Sequence, residues 1–339
     1  MKKKWFKKVI ALFLGIGFFT ASGAQAVEIT GAGATFPQPV FQAWAHEYHK
    51  ATGVKVNYQG IGSGGGIKQA QSKTVDFGAS DKPLTSNELK QYNLAQFPAI
   101  IGAVALTYNL PGFQNISLNL DEKAVCGIYL GKITRWNDPY LQKLNPGVKL
   151  PDVPITVVRR SDGSGTTWLF TTYLSKACPE WKEKVGAGTS VDWPVGIGAK
   201  GNPGVTNYVK QNQGSIGYVE YTYAKENNLP VARLLNKDKN YYLLPSIETI
   251  QAAASNAKWS MEKDFYEDLT YQPGKMSYPI VGVSFVLLVK DSPRANEVTK
   301  FFKWAFENGD TIAQKLYYVP LPKSLKNMIY KYWQKHHVK

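Results

Sequence analysis

Reactive side chains are scarce in this chain of 339 residues, which has two cysteines, four histidines and four methionines. Among the histidines only His46 and His49 stand at a spacing that shares a helix face, and no clustered Asp, Glu or Cys completes a ligand set around them, so a metal centre is not expected. The chain has no G-x-S-x-G elbow, no Walker-type phosphate loop and no H-E-x-x-H pair, which removes the common signatures of hydrolases and nucleotide-driven enzymes. Acids are also in short supply, at 25 against 40 Lys and Arg, for a net charge of +15. Past the first 26 residues, no run is long and apolar enough to span a bilayer.

The opening residues have a different character. Lys2, Lys3, Lys4, Lys7 and Lys8 precede an apolar run at 9–19 and a small-residue site, Ala24-Gln25-Ala26, which is the pattern of a cleaved export signal. The apolar run falls short of the roughly 20 residues a membrane span needs. No cysteine follows it to carry a lipid. The expected product is soluble and exported, begins at Val27 and, with five Lys removed, carries a net charge of +10. Scattered Lys of this kind are mostly solvated surface, and in an exported protein nucleic acid is the least expected partner. In an oxidising compartment Cys126 and Cys178 either form a disulfide, which contributes up to ~4 kcal/mol through loop closure, or remain two buried thiols; the sequence leaves both open.

A chain of this length suggests two lobes. Strand-like and helix-like segments alternate. Residues 54–58 and 100–108 suit strands, 67–72 and 86–92 suit helices, and 124–130, 155–159, 166–176 and 215–220 continue the alternation. A second long β-type run at 279–289 precedes a helical pattern at 295–308. The expectation is an α/β protein with mainly parallel sheets, in which two long strands cross between lobes and the first lobe is built from both chain ends. The basic, aromatic stretch 324–339 reads as a terminal helix that docks its apolar face on a lobe, in preference to one lying on a membrane.

Three Gly-rich segments sit where a strand hands over to a helix: 30–36 (TGAGATF), 60–66 (GIGSGGG) and 162–166 (DGSGT). Helix N-termini leave N–H groups unpaired and carry partial positive charge, and glycine lets the backbone approach a ligand, so such junctions suit anions. Three together suggest convergence on one tetrahedral oxyanion. Arg159 and Arg160 precede the third segment, where a guanidinium can grip the same anion, and Asp162 is placed to hold it. Gly60, Gly62 and Gly65 also satisfy the G-x-G-x-x-G dinucleotide pattern, but so do Gly196, Gly198 and Gly201, and a motif that recurs through composition has little weight.

The strings TGAGATFP at 30–37, NYQGIGS at 57–63, VDFGASD at 75–81 and VVRRSDGSGT at 157–166, with IYLGKI at 128–133 and GYVEY at 217–221, closely resemble the phosphate-binding receptors of the phosphate-specific ABC transport system. The resemblance covers nearly the whole chain after residue 26. It implies a two-lobed periplasmic-binding-protein fold (type II-like) with two hinge strands and a cleft between lobes. The lobes would be 27–105 plus 281–339, and 106–280, with 1–26 as signal. It implies a monomeric, periplasmic receptor that binds inorganic phosphate and passes it to an inner-membrane ABC permease, with no cofactor and no catalysis. Phosphate would be held by Thr35, Phe36 through its N–H, Ser63, Asp81, Arg160, Ser164, Gly165 and Thr166, with Asp162 supporting Arg160. One position departs: Gly64 follows Ser63 where family members often have a second Ser.

Under that resemblance Asp81 fills an acceptor position facing an anion. Phosphate near neutral pH keeps a proton and can donate it to the carboxylate, whereas sulfate cannot and would strand a buried charged acceptor, at a cost of at least ~1–3 kcal/mol. Arsenate, protonated as phosphate is, would pass the same filter. The local alternative for Asp81 is a helix N-cap before Pro83.

Overall fold

The computed structural model describes residues 26–336 and 338. The expected export signal therefore lies outside the described residues except for Ala26. Strands follow in the order β1 (Glu28–Gly33), β2 (Lys55–Gly60), β3 (Phe77–Ser80), β4 (Leu94–Tyr108), β5 (Asn119–Leu120), β6 (Thr156–Arg160), β7 (Ile197–Ala199), β8 (Ser215–Glu220), β9 (Arg233–Leu235), β10 (Tyr242–Leu243) and β11 (Val281–Val289). Eight of them form one curled sheet in the order β2-β1-β3-β11-β4-β8-β6-β7, and β10-β9-β5 make a small second sheet that the sequence did not announce.

The large sheet is mixed, which corrects the expectation of mainly parallel pairing. Each end is parallel, β2-β1-β3 on one side and β8-β6-β7 on the other. The centre is antiparallel, because β11 returns between β3 and β4, and β4 then pairs with β8. Strand β4 is a single fifteen-residue strand, buried throughout. Residues 94–103 pair with β11 and 104–108 with β8. It begins six residues before the apolar run that marked it, and Pro98 explains the early stretch. Proline removes a ladder donor and argues against a strand interior. Here it stands where the register with β11 slips and the missing N–H is tolerated.

Each end of the sheet has its own aromatic packing. Phe41, Tyr58, Phe77, Phe97 and Phe302 meet edge to face or stacked on one side. Tyr129, Phe170, Trp193 and Tyr218 do so on the other. The C-terminal helix Lys323–Lys335 buries Leu325, Ile329, Tyr332 and Trp333 and so docks on the protein as expected. Cys126 and Cys178 are joined in a disulfide, with Cα atoms 6.5 Å apart, which settles the alternative the sequence left open.

Candidate functional site

All three Gly-rich segments do join a strand to a helix, and all three meet. β1 leads through Thr35 and Phe36 into the helix Gln38–Thr52; β2 leads into Ser63–Gln71; β6 leads into Gly165–Ala177. The second helix starts four residues before the expected 67, because the glycines at 64–66 are themselves helical. Their lack of side chains lets another loop close on them. The Gly64 N–H donates to the Gly163 carbonyl at 2.9 Å, and a Cβ on Gly62, whose φ is +89°, would lie 2.5 Å from Asp162 Oδ2. The loop Asp162–Gly163 thus fills the place above this helix end, and with it any room for the dinucleotide reading.

Arg160 ends β6 with its side chain only 1% exposed. Asp162 holds the guanidinium on two sides, with Nε to Oδ1 at 2.7 Å and Nη2 to Oδ2 at 2.6 Å. The Gly201 N–H also donates to Asp162 Oδ1, at 3.1 Å. Burial pushes the Asp162 carboxyl up, but the hydrogen bond and charge of Arg160 outweigh it and hold the group below its ordinary value. The third guanidinium nitrogen, Nη1, is buried and meets no hydrogen-bond partner among the described residues. A buried donor in that state is costly, and a donor on a fixed cation is an invitation to an anion.

The groups around it are nearly all donors. Helix Gly165–Ala177 starts with Ser164 as N-cap, its Oγ accepting from Thr167 N–H at 2.9 Å, which leaves the hydroxyl hydrogen to give. The Ser164 N–H is already used, by the Thr189 carbonyl at 2.8 Å. Gly165 and Thr166 occupy the first turn, where N–H groups have no intrahelical acceptor. A Cβ on Gly165 would lie 2.3 Å from Ser63 Oγ and 2.5 Å from Asp81 Oδ2, so this helix end abuts residues from the other end of the sheet. Thr35, Ser63, Asp81, Arg160, Ser164 and Thr166 are all buried. Phe36 is buried too, its carbonyl accepting from the Tyr318 hydroxyl at 2.6 Å.

Asp81 supplies the one acidic group in this ring. It caps no helix, since the following helix is capped by Thr85, so the local alternative falls. Its N–H donates to Ser63 Oγ at 3.1 Å, and Ser284 Oγ donates to its Oδ1 at 2.5 Å. Burial pushes its carboxyl up to about 7 against the opposing effects of Ser284, Arg160 and Ser63.

Three further residues belong to the arrangement and escaped sequence reasoning. Asn202 is fully buried; its N–H and Nδ2 donate to Thr35 Oγ1 at 3.0 and 2.8 Å, its Nδ2 also to Thr166 Oγ1 at 3.0 Å, and its Oδ1 accepts from Glu220 N–H at 2.8 Å. The Tyr223 hydroxyl donates to the Thr35 carbonyl. Ser284 had a visible signal as the lone polar side chain in the apolar run 281–289. Among the described residues no three His, Cys, Asp or Glu gather as metal ligands, and His46 and His49 are exposed. The arrangement can therefore enclose one small oxyanion with many donors and one carboxyl.

The model of the PBP superfamily domain matches residues 20–308. The phosphate-binding protein PstS of Haemophilus influenzae is 49% identical over 337 residues, covering 98% of each chain. That of Pasteurella multocida is 50% identical over 329 residues, covering 96% of this chain and 95% of its own. The chain belongs to the PstS family. A solved phosphate-binding protein from Stenotrophomonas maltophilia shares the fold at 22% identity, with a TM-score of 0.66 over 90% of this chain and 93% of that one. PstS membership agrees with the α/β binding-protein architecture expected from the motifs. No helix among the described residues of this PstS chain is long and apolar enough to cross a membrane.

Proposed function

We propose that this PstS-family chain is a receptor that captures inorganic phosphate outside the inner membrane and delivers it to an ABC importer, making and breaking no bond. The observation that carries the reading is Arg160, a buried cation fixed by Asp162 with Nη1 left to donate into a ring of hydroxyls and helix N–H groups. Thr35, the Phe36 N–H, Ser63, Ser164, Gly165 and Thr166 are the remaining donors, and Asp81 accepts the proton that phosphate brings. An anion without that proton meets a carboxylate it cannot satisfy.

Residues 27–105 with 281–339 form one lobe and 106–280 the other, in this reading, and they close over the anion about the β4 crossing at 103/104. The hydrogen bonds from Gly64 to Gly163 and from Asn202 to Thr35, which join the two lobes in this reading, support a cleft that closes. Export by the signal at 1–26 puts the receptor, as a monomer, in the periplasm, where its loaded form meets the permease.

Calorimetric titration of the exported protein with phosphate and then sulfate at about pH 9, where the Asp81 carboxyl is ionised and phosphate still carries a proton, tests this. Tight one-to-one phosphate binding with no sulfate heat is expected, together with relaxed discrimination in Asp81→Ala. Folded protein that takes up no phosphate would sink the reading.

A further inference from the structure

Strand β11 is apolar along its length except for Ser284, and that hydroxyl is completely buried. Its position follows from the strands on either side. On one side Phe285 pairs with Ser80, so Ser284 lies opposite Asp81, the next residue of the antiparallel neighbour, and opposite side chains share a face. On the other side Ser284 faces Ile100 while Phe285 faces Pro98, which leaves Ala99 as an extra residue. Such bulges bend a strand and re-aim the side chains beside it. The outcome is a hydrogen bond from Ser284 Oγ to Asp81 Oδ1 at 2.5 Å. Asp81 Oδ2 looks elsewhere, toward the first turn of helix Gly165–Ala177, where a Cβ on Gly165 would touch it.

The two carboxylate oxygens therefore have different surroundings. We propose that Ser284 is a specificity-determining positioning residue, whose hydroxyl occupies Asp81 Oδ1 and so commits Oδ2 to accept the ligand's proton instead of donating one. The proposal rests on the reading of Asp81 as the acceptor for phosphate. A carboxylate held from behind by a donor stays an acceptor; the same carboxyl, once protonated, would give a hydrogen bond to sulfate and lose its discrimination.

Several other groups face Asp81. Arg160 approaches from the end of β6 with Asp162 behind it, Ser63 from its helix, Tyr58 from β2, Tyr223 from helix Tyr221–Glu226 and Glu220 from the end of β8. Burial pushes both tyrosines up, away from the neutral range, and holds Glu220 well above the usual carboxylate range. These groups remain when Ser284 is changed, so a difference between wild type and a Ser284 variant isolates the hydroxyl.

The test is sulfate and phosphate affinity of the exported protein as a function of pH, for wild type, Ser284→Ala, Ser284→Thr and Asp81→Asn. Sulfate affinity rises as Asp81 takes up a proton. Without the Ser284 donor that uptake is easier, so in Ser284→Ala the rise moves to higher pH by about one unit; sulfate binding is then about twofold tighter at about pH 7 and about tenfold tighter at a fixed pH above both titrations. Ser284→Thr, which keeps the hydroxyl, restores the wild-type profile. Thermal melts verify folding, and Ser284→Cys, of similar shape with only a weak donor, carries the same expectation should Ser284→Ala not fold. A sulfate profile that superimposes on wild type, or equal weakening of both anions at every pH, overturns the role of Ser284. An unchanged anion ratio in Asp81→Asn overturns the acceptor reading beneath it, which separates the two failures.

Discussion

Arg160 and Asp81 are both buried charged side chains, and the structure treats them in opposite ways. Arg160 has its counterion at hand, so its charge is held in place by a forked pair whose geometry leaves one nitrogen over. Asp81 is kept among hydroxyls, and burial raises its carboxyl from 3.8 to about 7. This has a consequence for stability without ligand. In the unfolded chain Asp81 ionises near its ordinary value, while in the folded protein it holds its proton to about 7. The folded state binds more protons across that window, so stability falls as pH rises through it and levels off above. Asp81→Asn lacks that slope. Urea unfolding at pH 4 and pH 8 is expected to show wild type losing up to about 4 kcal/mol relative to Asp81→Asn, and parallel pH profiles for the two proteins would count against it.

Among elements, the helix N-terminus does most to build the site. Helix Gly165–Ala177 brings first-turn N–H groups, the Ser164 cap and the Gly165 close approach to one point. Gly165→Ala places a methyl against Ser63 and Asp81 and should prop the cleft open: phosphate affinity is expected to fall at least a hundredfold, with the melting temperature of the unloaded protein nearly unchanged. A small affinity loss in a titration would refute the close approach. This part of the site was legible in the sequence, because Gly-rich strand-to-helix junctions leave a local signature at 30–36, 60–66 and 162–166. What was not legible is long in range. Ser284 reaches Asp81 across 203 positions and Asn202 reaches Thr35 across 167, and no local pattern encodes such meetings. The same limit explains the sheet. Alternating strands and helices suggested parallel pairing, yet which strand returns to the middle is decided by tertiary packing, and Pro98 disguised the first third of β4.

For the whole molecule, the disulfide stands well away from the candidate anion site. It ties the helix Glu122–Tyr129 to Cys178, just past the far end of helix Gly165–Ala177, about 20 Å along that helix from its first turn. Reduction opens a loop of 52 residues and is expected to lower unfolding free energy by up to about 4 kcal/mol while leaving phosphate affinity within a few-fold of its oxidised value. Loss of binding in reduced but still folded protein would show the bridge to be part of the site's support.

The place of β11 also bears on how the chain can be made. Strands β1, β2, β3 and β4 emerge early from the ribosome, but β3 and β4 are not neighbours: the gap between them is filled only by residues 281–289. Until more than four-fifths of the polypeptide has been synthesised, the first sheet has two open edges facing a missing strand, a condition that favours wrong pairing over native structure. A nascent chain of this design cannot join its β2-β1-β3 part to β4 during translation. That part keeps an open edge until the chain is nearly complete, and a polypeptide not yet locked into its final sheet is one that can be threaded through a narrow pore.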